Sequence, residues 1–142
     1  MGTRSLTSIR EDGKVLVNIY RQFDGYPSGH GAELSRFLNS RTMVNGISGN
    51  GRSVFNGPGC MAAQLIRHLK GDEAGNIYVD FPDSFAGYDC DYVYTVDVPS
   101  LKNIGWKTEY GDMKITVEGY GEEIFEGDRD GFHLFVTEGL ED

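Results

Sequence analysis

The hydrophobic period of the chain changes at Asn76, and this change limits the fold more than any other feature. Before it, residues 59–70 carry an apolar stripe at the spacing of one helix face: Met61, Ala62, Leu65, Ile66 and Leu69. After it, short segments alternate apolar with polar residues and are separated by glycine-containing turns. Helices that precede a run of period-two segments favour an α+β fold over a parallel α/β fold.

The same patterns predict the individual elements. Residues 6–10 and 14–22 are expected to form a hairpin around Glu11-Asp12-Gly13, helices are expected at 32–39 and 59–70, and residues 40–57 are expected to be irregular. Later strands are predicted at residues 77–81, 92–98, 105–110, 113–118, 124–126 and 133–137. The prediction is a single domain over residues 1–142, in which an antiparallel sheet, built from the N-terminal hairpin and a C-terminal meander, packs against two helices.

Charge is divided unevenly between the two halves of the chain. Residues 1–71 hold nine Lys and Arg against four acids, whereas residues 72–142 hold four Lys and Arg against 18 acids, and the net charge is -9. Such an acidic surface argues against direct binding to DNA. Without a long apolar run or a signal-peptide core, the sequence predicts a cytosolic protein that does not enter a membrane.

The first candidate site is the glycine-rich segment 21–31, RQFDGYPSGHG. Its three glycines are expected to free backbone N–H groups that converge on an anion. Arg21 would add a forked cation that contacts the ligand and is dispensable for folding, and Tyr26 would add a stacking surface. The candidate ligand-binding residues are Arg21, Gln22, Asp24, Tyr26 and His30. The alternative is a structural turn in which Arg21 pairs with Asp24.

The second candidate site is the entry to the helix at 59–70, Asn56-Gly57-Pro58-Gly59. A glycine-rich helix start can hold an anion because its first N–H groups are unpaired, and no Walker lysine follows. The candidate ligand-binding residues here are Asn56, Gly57, Gly59 and Gln64. The alternative is ordinary helix capping by Asn56. If this helix start faces the first loop, the two segments enclose one polar pocket.

An enzyme is the third interpretation, and the sequence favours it least. Cys60 lies near a predicted helix start, where a thiol is activated, and His30 or His68 could serve as its base in a hydrolase. The alternative is a buried structural cysteine. His30, His68 and His133 lack metal-ligand spacing, so the sequence predicts neither a metal nor another cofactor.

Four motifs together resemble a family of small, mostly uncharacterised proteins that recurs in bacteriophage and prophage genomes. They are MGTRSLT at the start, YRQFDGYPSGHG (residues 20–31), VNGI (residues 44–47) and FNGPGCMAAQL (residues 55–65). The resemblance covers residues 1 to about 70 well and the rest loosely. It implies a phage protein with an accessory role in the host cytoplasm, where such proteins often antagonise host defence.

The favoured hypothesis is therefore a phage accessory protein that antagonises host defence by binding a small anionic ligand, such as a signalling nucleotide. The alternative is an acidic inhibitor that docks on a host defence protein as a nucleic-acid mimic. We expect the acids of residues 121–142 to form a solvated surface rather than a recognition site. A homo-oligomer is compatible with either hypothesis.

Overall fold

A computed structural model describes residues 2–46, 51–80 and 90–138. The chain begins with a β-hairpin whose tight turn has positive φ at Asp12 (49°) and Gly13 (81°), as a two-residue hairpin turn requires. The elements are β1 (Ser5–Glu11), β2 (Lys14–Arg21), α1 (Ala32–Leu38), β3 (Thr42–Val44), β4 (Val54–Asn56), α2 (Gly57–Lys70), β5 (Ile77–Asp80), β6 (Tyr92–Val98), β7 (Lys102–Ile104), β8 (Lys107–Glu109), β9 (Lys114–Gly119), β10 (Glu122–Gly127) and α3 (Arg129–Thr137).

The main sheet has the strand order β10-β9-β6-β1-β2-β5, which confirms the predicted α+β class. The hairpin β1–β2 and the meander β6–β9–β10 are both antiparallel, as predicted. The two units join through β1 and β6, which run parallel with Ser5 opposite Tyr92. The sheet is therefore mixed: this pair is parallel, and the other strand pairs of the sheet are antiparallel.

The helices pack against one face of this sheet and enclose the core. From the sheet, the buried side chains of that face include Ile9, Ile19, Tyr94, Val96, Ile115 and Val117. From the helices they include Leu34, Leu38, Met61, Leu65, Phe132 and Val136. The core thus draws on all three helices of the described chain.

The third of these helices corrects the prediction of a strand at residues 133–137 and of only two helices. Asp128 caps α3 by accepting a hydrogen bond from the Gly131 N–H at 2.9 Å. The buried Phe132 and Val136 then follow at i, i+4 spacing. The prediction of a strand is wrong because aromatic and β-branched residues favour a strand in general, whereas the Asp128 cap starts a helix here.

Three smaller boundaries also differ from the predictions. Residues 40–57 are not wholly irregular, because β3 and β4 pair in parallel and α2 already begins at Gly57. The segment 105–110 is half of a hairpin, since β7 and β8 flank a turn at Gly105-Trp106. Of the predicted strand 77–81, Phe81 lies outside the described residues.

Candidate functional site

Arg21 ends β2 and lies at the centre of a polar cluster between the sheet and the helices. Its Nη1 donates to Glu33 Oε1 at 2.7 Å and to His30 Nδ1 at 3.1 Å, while its Nε donates to the Phe23 carbonyl at 2.7 Å. Its side chain is 13% exposed. The alternative derived from the sequence pairs Arg21 with Asp24. In the structure the acidic partner of Arg21 is Glu33 instead.

His30 is completely buried beneath Arg21. Since the guanidinium donates to Nδ1, the imidazole carries its proton on Nε2, which donates to Thr7 Oγ1 at 2.7 Å. Burial, and then the positive charge of Arg21, lower the pKa of His30 to about 3. The imidazole is therefore neutral near pH 7 and has both nitrogens engaged, so it is a structural acceptor for Arg21.

The loop before α1 positions His30 through close backbone packing. Asp24 has φ 61°, and its carbonyl accepts from the His30 N–H at 2.8 Å. A Cβ on Gly25 would lie 2.7 Å from the Ser5 Cβ, so only glycine fits against β1 there. The buried Tyr94 hydroxyl donates to the Gly25 carbonyl at 2.7 Å. A π-helical turn at Pro27–Gly31 then leads into α1.

The three glycines of this loop do not form the predicted anion nest. The N–H of Gly25 donates to the Thr3 carbonyl at 2.9 Å, and those of Gly29 and Gly31 donate to the Tyr26 carbonyl at 2.9 and 3.4 Å. The expectation of converging free N–H groups is therefore wrong. These N–H groups are used in backbone hydrogen bonds that hold the turn, so the cationic group of this segment is the Arg21 side chain, which is 13% exposed.

The last turn of α2 completes the cluster from the other side. His68 is 47% exposed, and its Nε2 lies 3.7 Å from Glu33 Oε2. Glu33 thus bridges the Arg21 guanidinium and the His68 imidazole. Sequence reasoning did not select Glu33, although an acid in the first turn of a helix next to a basic loop could have indicated it. We call Arg21, His30, Glu33 and His68 the Arg21 cluster.

The beginning of α2 lies away from this cluster. Cys60 precedes His68 by eight residues, or about 12 Å along the helix axis. The Cys60 thiol donates to Gln64 Oε1 at 3.7 Å, and no described hydrogen bond joins it to His30 or His68. The predicted hydrogen bond between Cys60 and a histidine is therefore not formed.

The other residues predicted at this helix start have local partners. Asn56 does not cap α2 with its side chain, because its Oδ1 accepts from the Gly46 N–H at 2.7 Å. Gly57 has φ 86° and lies against the Tyr110 hydroxyl. Gln64 donates to the Val54 carbonyl at 3.3 Å, while Gly59 faces open space. The proposed role of these residues in ligand binding stays a prediction.

The remaining predicted residues, Gln22 and Tyr26, begin and end the segment between β2 and the π-helical turn. The Gln22 N–H donates to the Asn76 carbonyl at 2.8 Å and ties the end of β2 to the start of β5. Tyr26 is exposed, and its hydroxyl donates to Asp24 Oδ1 at 3.5 Å. Phe23 is also exposed beside Arg21 and was not predicted.

A cleft of about 460 Å³ lies near the start of α2 and was missed by sequence reasoning. Its walls are Thr42–Val44 with Asn45, residues 108–113, and Arg129. Arg129 Nη1 also donates to the carbonyls of Leu38 at 3.1 Å and Arg41 at 3.2 Å. Because three distant segments form the cleft, no local motif could have indicated it. Its acidic side chains, Glu109 and Asp112, make it less suited to an anion than the Arg21 cluster.

No protein-family model matches the chain, and neither a curated protein nor a solved structure matches it. Within residues 2–46, 51–80 and 90–138, no three His, Cys, Asp or Glu side chains are grouped to hold a metal ion. None of the helices in the described part of the chain has the length and apolar character of a membrane span.

Proposed function

We propose that this protein binds a small anionic ligand of the nucleotide class at the Arg21 cluster. The observation that carries the proposal is the hydrogen bonding of the Arg21 guanidinium. Phe23, His30 and Glu33 hold its Nε and Nη1, whereas its Nη2 has no hydrogen-bond partner among the described residues. A cation fixed in this way can donate to a phosphate without first losing side-chain entropy.

The surroundings of Arg21 suit an anion that carries an aromatic ring. The last turn of α2 adds the imidazole of His68, whose Nε2 lies 3.7 Å from Glu33 Oε2. Phe23, two residues beyond Arg21 in the chain, adds an exposed aromatic side chain. An aromatic face beside a cation is the combination that holds a nucleobase and its phosphate.

The biological role follows from the resemblance of residues 1 to about 70 to phage proteins. A small phage protein that binds a signalling nucleotide would antagonise host defence by sequestering that signal. This proposal requires no catalytic residue, in keeping with a neutral His30 that is engaged on both sides and a Cys60 without a described histidine partner.

Isothermal titration calorimetry with cyclic and linear nucleotides tests the proposal, with inorganic phosphate as the simplest anion. We expect at least one nucleotide to bind more tightly than phosphate. His68→Ala and Phe23→Ala should each weaken that binding about fivefold, because each removes a contact worth about 1 kcal/mol.

Arg36→Ala is the matched control, because Arg36 is an exposed cation on α1 outside the cluster. It should bind the nucleotide as the wild type does. A protein that binds none of the nucleotides, or that loses affinity equally in the control, contradicts the proposal.

A further inference from the structure

The cleft of about 460 Å³ beside β3 lies outside the Arg21 cluster, and two of its walls are continuous stretches of chain. One wall is Thr42–Val44 with Asn45, and the other is residues 108–113. Successive side chains of an extended segment point to opposite sides, so a cleft that touches every residue in turn runs along the backbone edge. Two main-chain edges therefore face each other across this space, which we call the β3 cleft.

Both edges carry backbone groups without protein partners. Within the described chain β3 pairs with β4 alone, and β4 does not line the cleft, so the edge of β3 toward the cleft is open. On the other wall, the backbone N–H and C=O groups of Tyr110, Gly111 and Asp112 form no hydrogen bond with a described residue. An open main-chain edge is a template for the addition of a further strand.

Acidic residues predominate around the β3 cleft. Glu109 and Asp112 line the cleft itself, and Asp112 also lines an adjoining pocket of about 110 Å³. That pocket adds Asp128 and Asp130, and none of these four acids forms an ion pair with a described residue. Arg129 lines both spaces, and its Nη1 donates to two backbone carbonyls. This excess of acid attracts a basic ligand and repels the phosphates of a nucleic acid.

We propose that the β3 cleft binds an extended basic peptide of another protein as an added strand between its two walls. Backbone hydrogen bonds to β3 and to residues 110–112 hold the peptide, and its lysine or arginine side chains pair with Glu109 and Asp112. Its alternate, apolar side chains contact Met43 and Met113 in the walls. Together with the residue after it, β3 offers an edge about 13 Å long, which fits three or four residues of such a peptide.

A capped six-residue peptide that alternates lysine with valine tests the proposal by isothermal titration calorimetry. The protein should bind this peptide, whereas the same peptide with glutamate in place of lysine should not bind. N-methylation of alternate peptide amides should raise the Kd about 30-fold, because it removes main-chain hydrogen bonds and leaves every charge in place. Hydrogen–deuterium exchange gives a second readout, since the amides of residues 42–45 and 110–112 should exchange more slowly when the lysine peptide is present.

Glu109→Gln with Asp112→Asn should raise the Kd of the lysine peptide about tenfold, because it removes two charges that attract the peptide. Asp72→Asn with Glu73→Gln is the matched control, because it removes the same charge at two exposed positions that do not line the cleft. The proposal is overturned if the lysine peptide does not bind, if the glutamate peptide binds as tightly, or if N-methylation leaves the Kd unchanged. It is also overturned if the same amides are already protected in the protein alone, since a second copy or another part of the chain then fills the cleft.

Discussion

Acidification from about pH 7 to about pH 5 should destabilise this protein through His30. The pKa of this buried imidazole is about 3 in the folded state, because of burial and then the charge of Arg21, against about 6.5 in an unfolded chain. Between pH 6.5 and pH 3, His30 is therefore protonated in the unfolded state and neutral in the folded state. Stability is fully present above pH 6.5 and falls with pH until the folded group titrates near pH 3.

The size of the effect follows from the same two pKa values. Between them the free energy of unfolding falls by about 1.4 kcal/mol for each pH unit, which gives about 2 kcal/mol between pH 7 and pH 5. Such a loss is a large part of the total stability of a small domain. The physical cause is that a charged His30 would lose its hydrogen bond from Arg21 and face that cation without water.

Urea denaturation followed by circular dichroism, at several pH values, measures this loss. His30→Gln is the comparison, since glutamine does not titrate, and its unfolding free energy should change about 2 kcal/mol less over the same interval. Asp12, whose pKa is lowered mainly by its side-chain hydrogen bond from Ser100, contributes equally to both proteins. Equal pH slopes for the two proteins, or an NMR titration of His30 near pH 6.5, would refute the reasoning.

Three other predictions concern stability and can be checked by the same denaturation measurement near neutral pH. Arg21→Ala should cost about 2–4 kcal/mol, because it leaves the buried imidazole without a donor and Glu33 without its partner; an unchanged midpoint would show that Arg21 is dispensable for folding. Tyr94→Phe should cost about 1–2 kcal/mol, because the Gly25 carbonyl loses its buried donor. Gly25→Ala should cost more than about 3 kcal/mol through clashes with the β1 backbone, whereas Gly59→Ala, with open space around it, should stabilise the protein by up to about 1 kcal/mol.

The sequence predicts the elements whose signals are local. The turn at Asp12-Gly13, the stripe on α2 and the strand at Tyr92–Val98 are each set by adjacent residues, and the structure has them in place. The parallel pairing of β1 with β6 could not be predicted, because it depends on contacts between residues nearly ninety positions apart. The helix α3 was missed because its aromatic and β-branched residues obscured a short amphipathic pattern.

The candidate site, too, was predictable from the sequence only where its signals are local. Arg21 and His30 are predicted from the sequence as ligand-binding residues, and the structure brings their side chains together, with the buried His30 accepting a hydrogen bond from Arg21. Their partners Thr7, Glu33 and His68 come from three other elements, and only the packing of those elements reveals them. Because Arg21 has protein partners at Nε and Nη1, we expect the fold to depend on it, contrary to the prediction from the sequence.

The central claim, that the Arg21 cluster binds a nucleotide-class anion, is tested most directly by an NMR titration of isotope-labelled protein. A nucleotide chosen by calorimetry is added, and the side-chain signals of Arg21 and His68 are followed together with the backbone signal of Phe23. The account predicts saturable shifts at these three residues, with the Arg21 signals changing most. Saturable shifts confined to the cleft around Asn45 and Arg129, or no saturable shift with any nucleotide, would contradict it.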